Sequence, residues 1–128
     1  MSGWHRLTTW SSFAFVPAVI LLTAWASPFA LLQLASLVVC VAYHASWETR
    51  WVRLDHALAY GVVAGNAWMA WHATEQRIVA LGLFFVVLGL WRYVLARTVE
   101  DAYEVEHSLW HLCCGAANAC FAVAYIAR

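Results

Sequence analysis

Five stretches of the chain are almost unbroken runs of apolar residues: Leu7 to Trp25, Pro28 to Ser46, Leu54 to Trp71, Arg77 to Ala96, and about Val105 to Ile126. Each is close to the roughly 20 residues that a helix needs to cross the hydrocarbon core of a bilayer. The runs are continuous rather than alternating, which argues against the strands of a β-barrel. Only short polar segments separate them, so helices adjacent in sequence should lie antiparallel in space. The pattern predicts an all-α integral membrane bundle of about five transmembrane helices, forming one domain over residues 1–128. Pro17 predicts a kink in the first helix. A rival reading of the first run is a signal peptide, with Arg6 ahead of the apolar stretch and Ala24-Trp25-Ala26 as its cleavage site. That run is long for a signal core, and Pro28 stands at the second position after the cut, so the helix is the preferred reading.

Composition sharpens this picture. The chain is 65% hydrophobic and 11% charged, against about 25% charged residues in a typical soluble domain. It has no Lys and a net charge of zero, which gives no basic footprint for nucleic acid. All four Cys (40, 113, 114 and 120) lie inside apolar segments, unlike a secreted disulfide framework. Several Trp stand at segment ends, where a bilayer interface favours them. Arg6, Arg50, Arg53, Arg92 and Arg97 fall towards the N-terminal face, and Arg77 and Arg128 towards the other. This asymmetry predicts a cytoplasmic N-terminus and a C-terminus outside. Absence of Lys beside abundant Ala, Arg and Trp points to a bacterial source, and hence to an inner membrane.

Ionisable residues within the membrane are costly and are functional candidates by default. Here they gather at one level. His44 lies near the end of the second segment, Asp55 at the start of the third, and His107 and His111 in the first turns of the fifth. His107 and His111 are spaced i, i+4, so both imidazoles project from one helical face. With His44 as a third nitrogen, the set matches a catalytic zinc site: three protein ligands and one open position. Zinc would then make water nucleophilic near neutral pH, and Asp55 would orient that water or accept its proton. The plainer reading is that these groups are hydrated at the headgroup level, with Asp55 favoured by a helix N-terminus.

Tyr43-His44, Asp55 eleven residues on, and the string His107-Ser-Leu-Trp-His111 resemble the CREST superfamily of membrane hydrolases. That group includes alkaline ceramidases, adiponectin receptors, GPI-remodelling phospholipases and myomaker-like proteins. The resemblance implies Zn2+ bound by His44, His107 and His111, Asp55 as the water-orienting group, and a membrane lipid as substrate, cleaved at an amide or ester bond. The His-to-Asp interval is similar to ceramidases; the HSLWH string is closer to the phospholipase and myomaker-like branch. Two departures stand out. The family has a Ser one turn before the first His, where this chain has Cys40. Cys40 either takes over that hydrogen-bonding role at the catalytic centre or ligates zinc as a thiolate and closes the site. The family has seven helices against five here, which leaves the site laterally open or leaves a groove for a second copy in a homo-oligomer. Two rival functions remain: a non-enzymatic scaffold or sensor stabilised by zinc, and a bis-His haem protein. The latter is disfavoured because His107 and His111 share one face.

Gln33, Asn66 and Asn118 each stand eleven residues from a site residue, respectively His44, Asp55 and His107. Eleven residues is close to three turns, so each amide should share its site residue's helical face, about 16 Å deeper. The three amides should therefore meet inside the bundle, either as helix-joining hydrogen bonds or as the polar floor of a substrate cavity. Arg92 is read as snorkelling to headgroups, Glu100, Asp101, Glu104 and Glu106 as a solvated acidic loop, His56 and His72 as structural, Cys113, Cys114 and Cys120 as small packing residues, and Gly61, Gly65 and Gly115 as points of close helix approach.

Overall fold

The computed structural model describes residues 5–99 and 101–127; Glu100, Arg128 and the side chain of Arg6, which entered the charge argument, lie outside them. Among the described residues the chain is all helix. In order come α1 (His5–Ser11), a 3-10 turn (Ser12–Phe15), α2 (Val16–Ala24), α3 (Phe29–Ser46), α4 (Thr49–His72), α5 (Gln76–Thr98) and α6 (Tyr103–Ile126). Four spans are long and apolar enough to cross a membrane: Leu7–Ala24, Phe29–Ser46, Gln76–Thr98 and Tyr103–Ile126. α4 completes the expected bundle of five helices but stands outside this set. At 24 residues it has the length, but Arg50, Arg53, Asp55, His56, Asn66 and His72 leave it too polar to join that set. It also begins at Thr49, five residues before the apolar pattern starts.

The first span shows how sequence shapes the site. Pro17 has no N–H, and its ring would collide with the carbonyl four residues back, that of Phe13. The Phe13 carbonyl instead accepts from the Val16 N–H in a tighter 3-10 turn. The expected kink therefore lies just ahead of Pro17, between α1 and α2. Gly115 on α6 receives this turn: a Cβ there would stand 2.6 Å from the carbonyl carbon of Ala14. Only glycine lets the two backbones come so close.

α6 is the central helix. It contacts α1, the 3-10 turn, α2, α4 and α5, and ten of its residues are buried. α5 packs chiefly on α6, while α4 packs on α3 and α6, which leaves a cleft between α4 and α5. Leu22, Met69, Ala122 and Ala124 are fully buried in the apolar core at the end of the bundle opposite the histidines.

Candidate metal centre and its cavity

α3 ends and α6 begins at the same level, and three buried imidazoles meet there. Ring centroids are 5.1 Å apart for His44 and His107, 4.8 Å for His44 and His111, and 4.7 Å for His107 and His111. Three imidazoles on one tetrahedral ion at 2.0–2.1 Å would have centroids roughly 5 Å apart. The i, i+4 pair and the His of α3 are thus brought together as the spacing predicted. The rings stand edge to face against one another, which leaves no slot between any two for the porphyrin of a bis-His haem.

Two nitrogens in this cluster, His44 Nδ1 and His107 Nε2, are buried without a hydrogen-bond partner. An orphaned buried polar atom costs about 1–3 kcal/mol. A cation is a partner that such nitrogens accept, and the ring spacing leaves room for one; among the described residues the side chains whose ligand atoms gather within 4.8 Å of one another are Cys40, His44 and His111.

His111 is held differently. Ser11 Oγ lies 3.0 Å from His111 Nδ1, and the same hydroxyl donates to the Thr8 carbonyl at 2.9 Å. A hydroxyl has one proton, so towards His111 it accepts, and Nδ1 carries the hydrogen. Nε2 is left with its lone pair facing the cluster, which is the tautomer a metal requires.

Cys40, 5% exposed on α3, has its Sγ 3.9 Å from His111 Nε2 and 3.3 Å from Ser12 Oγ. Ligand atoms of Cys40, His44 and His111 all lie within 4.8 Å of one another, so these three form a second, overlapping candidate ligand set. Ser12 also donates to the Thr8 carbonyl, at 3.0 Å. Its oxygen is then free to accept from the Cys40 thiol, and a neutral thiol is the partner this arrangement suits. Asp55 is half-buried in the second turn of α4, not at the helix start that the sequence suggested, and lies beside Cys40.

Aromatic rings cover the cluster. Tyr103 stacks on His107 at 4.9 Å, Tyr43 lies 4.8 Å from His44, and Trp47 stands edge-on to His44 at 6.0 Å. Trp47 takes the left-handed conformation (φ 56°) that ends α3. For a residue with a Cβ this costs roughly 1–2 kcal/mol, and it turns the indole over the site.

A cavity of about 190 Å3 runs inward from here. It is lined by Cys40, Asp55 and His111 at the site, by Asn66 and Asn118 further in, and by apolar residues of α4, α5 and α6 between them. The three amides do meet: Asn66 Nδ2 donates to Asn118 Oδ1 at 2.5 Å, and Asn118 Nδ2 donates to Gln33 Oε1 at 3.1 Å.

Other expectations fare variously. His56 is exposed on α4, and His72 is exposed at the far end, stacked on Trp68. Arg92 does not simply snorkel: its guanidinium is 3.3 Å from Glu106 and lies over the Trp91 ring, and Glu104 and Glu106 stand in the first turn of α6 rather than in the expected acidic loop. Cys114 lines the cavity. Sequence reasoning missed Thr8, Ser11 and Ser12. Their signal was available: three hydroxyl residues spaced i, i+3, i+4 within an apolar run form a buried polar stripe on one face.

No protein-family model matches this chain, and neither a curated protein nor a solved structure does.

Proposed function

We propose that the protein is a zinc-dependent membrane hydrolase of lipid amide or ester bonds, related to the CREST group. One observation carries the reading: three buried imidazoles lie side by side, two of them with a nitrogen that has no hydrogen-bond partner, and the third, His111, lines an apolar cavity within the bundle. His44, His107 and His111 are the ligands. A zinc ion held there supplies Lewis acidity, polarising a carbonyl and making water nucleophilic near neutral pH. Asp55 takes the proton as water oxygen adds to the carbonyl carbon. As the C–N or C–O bond breaks, Asp55 returns that proton to the departing amine or alkoxide, and a carboxylic acid remains. The Tyr43, Trp47 and Tyr103 rings limit bulk water at the site. Whole-ligand pockets run roughly 300–1,000 Å3, so the cavity holds a segment of one chain, and the rest of the lipid stays in the bilayer beside the α4–α5 cleft.

The test is elemental analysis of purified protein, followed by a panel of N-acyl sphingoid amides and diacyl phospholipids. We expect one zinc per chain and turnover of one of the two classes. Asp55→Asn should keep the zinc and lose about 10²- to 10⁴-fold in rate, the usual contribution of a general base. Zinc-loaded protein that cleaves neither class would overturn the enzymatic reading. A second reading then takes its place, a zinc-stabilised scaffold or sensor, and the proximity of the Cys40 sulfur to His44 and His111 is what favours it.

A further inference from the structure

The polar side chains that line the cavity are Cys40, Asp55 and His111 at the histidine end, Asn66 and Asn118 at the amide end, and Ser36 of α3. Asn118 is fully engaged in the amide chain, but Asn66 is not. Its Nδ2 is committed to Asn118, its Oδ1 has no partner, and the residue is only 8% exposed. Asn66 lines the cavity on α4, between Val62 and Val63 of that helix and Val86 and Leu90 of α5 across the cleft. A lone amide acceptor at the end of an apolar chamber has one use for a ligand: it receives a hydrogen bond from a hydroxyl or N–H. Along α6, seven residues separate His111 from Asn118, or roughly 10 Å at 1.5 Å per residue. That is the reach from a carboxyl group at the histidines to a donor well along an aliphatic chain.

We infer that Asn66 is a specificity-determining residue that selects lipid chains carrying a hydrogen-bond donor some ten ångströms from the scissile carbonyl. This inference rests on the hydrolase reading, since it takes a chain in the cavity and its carboxyl at the metal centre. Hydroxylated acyl chains are the substrate class it names. An unsubstituted chain leaves the Asn66 oxygen orphaned; a hydroxylated chain satisfies it.

The test uses three product-like probes on the zinc-loaded full chain in detergent: decanoate, 8-hydroxydecanoate and 8-methoxydecanoate, whose oxygen on the eighth carbon is the one that an extended chain carries to that distance, with binding measured by calorimetry. The hydroxy probe should bind about two- to twelve-fold more tightly than decanoate, the span of one net hydrogen bond. The methoxy probe, which can only accept, should gain nothing. In Asn66→Leu the hydroxy preference should vanish while decanoate binding and zinc content persist. Equal binding of all three probes to the native chain overturns the inference and leaves the hydrolase reading standing, with water satisfying Asn66. A preference for the methoxy probe overturns it too, by showing that Asn66 presents its N–H instead. If none of the probes binds, both the inference and the lipid-chain reading of the cavity fall. The three-probe comparison needs no variant, so a poorly folding Asn66→Leu does not blunt it.

Discussion

Removing one imidazole should separate the two overlapping ligand sets. In the three-histidine assignment His107 binds the metal and Cys40 does not; in the alternative these roles are exchanged. Distance alone is a poor judge. A sulfur at 2.3 Å and a nitrogen at 2.0–2.1 Å on one tetrahedral ion stand roughly 3.6 Å apart, and Cys40 Sγ is 3.9 Å from His111 Nε2, close enough for a small rotation to bring it in. Proton bookkeeping decides instead. Ser12 gives its only proton to the Thr8 carbonyl, so a thiolate at Cys40 would face the Ser12 lone pairs and have the metal as its one favourable partner there, whereas a neutral thiol donates to Ser12. His107 Nε2 by contrast is buried and unpartnered. Structural zinc sites with four ligands bind with about 10–16 kcal/mol, or roughly 3–4 kcal/mol per ligand, which is about a hundred- to a thousandfold in affinity. His107→Ala should therefore weaken zinc binding by that factor. Cys40→Ser, which keeps a hydroxyl proton for Ser12, should weaken it less than tenfold. Competition against a chromophoric chelator measures both, and X-ray absorption reads the ligands directly. The reverse order of the two effects, with a zinc–sulfur distance near 2.3 Å in the native protein, would refute the assignment and turn the centre into a closed structural site.

Three other outcomes follow from the same geometry. Gly115→Ala places a methyl against the Ala14 carbonyl and should destabilise the fold by about 1–3 kcal/mol, as overpacking does, seen as a lower thermal midpoint; an unchanged midpoint would show that α1 docks loosely. Ser11→Ala removes the nearer hydroxyl partner of His111 Nδ1 and leaves Ser12 Oγ at 3.5 Å, so it should cost about 10-fold in zinc affinity, the lower end of the toll of losing a ligand-orienting partner; undiminished affinity would mean that Ser12 alone fixes the tautomer. Reporter fusions should place the N-terminus and the 99–102 loop in the cytoplasm and the C-terminus outside, and a cytoplasmic C-terminus would discard the charge argument.

Much of this was legible in the chain because membrane helices write their polar faces clearly. Against an apolar background, His44, His107 and His111 were visible as a set, and the eleven-residue offsets of Gln33, Asn66 and Asn118 placed the amides before any coordinates did. Two things were not legible. The site-facing role of α1 was hidden because Thr and Ser are tolerated in apolar helices and their hydroxyls bond back to the preceding turn; only the turn ahead of Pro17 aims Ser11 and Ser12 at α6. The start of α4 was not legible because its first two turns carry Arg50 and Arg53, charges that an apolar-run criterion cuts away although the backbone continues helical through them.

The amide chain offers the clearest choice between a structural and a functional purpose. Interhelical hydrogen bonds inside membranes average about 0.6 kcal/mol and reach about 1–2 kcal/mol, so the two bonds joining Gln33, Asn118 and Asn66 contribute roughly 1–4 kcal/mol together, nearer the lower figure at the average strength. The orphaned Asn66 oxygen costs about the same, 1–3 kcal/mol. As helix glue, then, the trio nets close to nothing, and a bond from Asn118 to Gln33 alone, with a leucine at 66, would hold the helices as well. What the third amide adds is a polar atom on the wall of a chamber whose other end holds the histidines. Its cost is offset only when a donor enters that chamber. The same reasoning applies at the metal centre, where two imidazole nitrogens go unpartnered. The unsatisfied Asn66 oxygen lies on the cavity wall, and the unsatisfied nitrogens of His44 and His107 lie beside His111, which lines the same cavity; both places call for a ligand, a hydrogen-bond donor on an aliphatic chain at the one and a cation at the other.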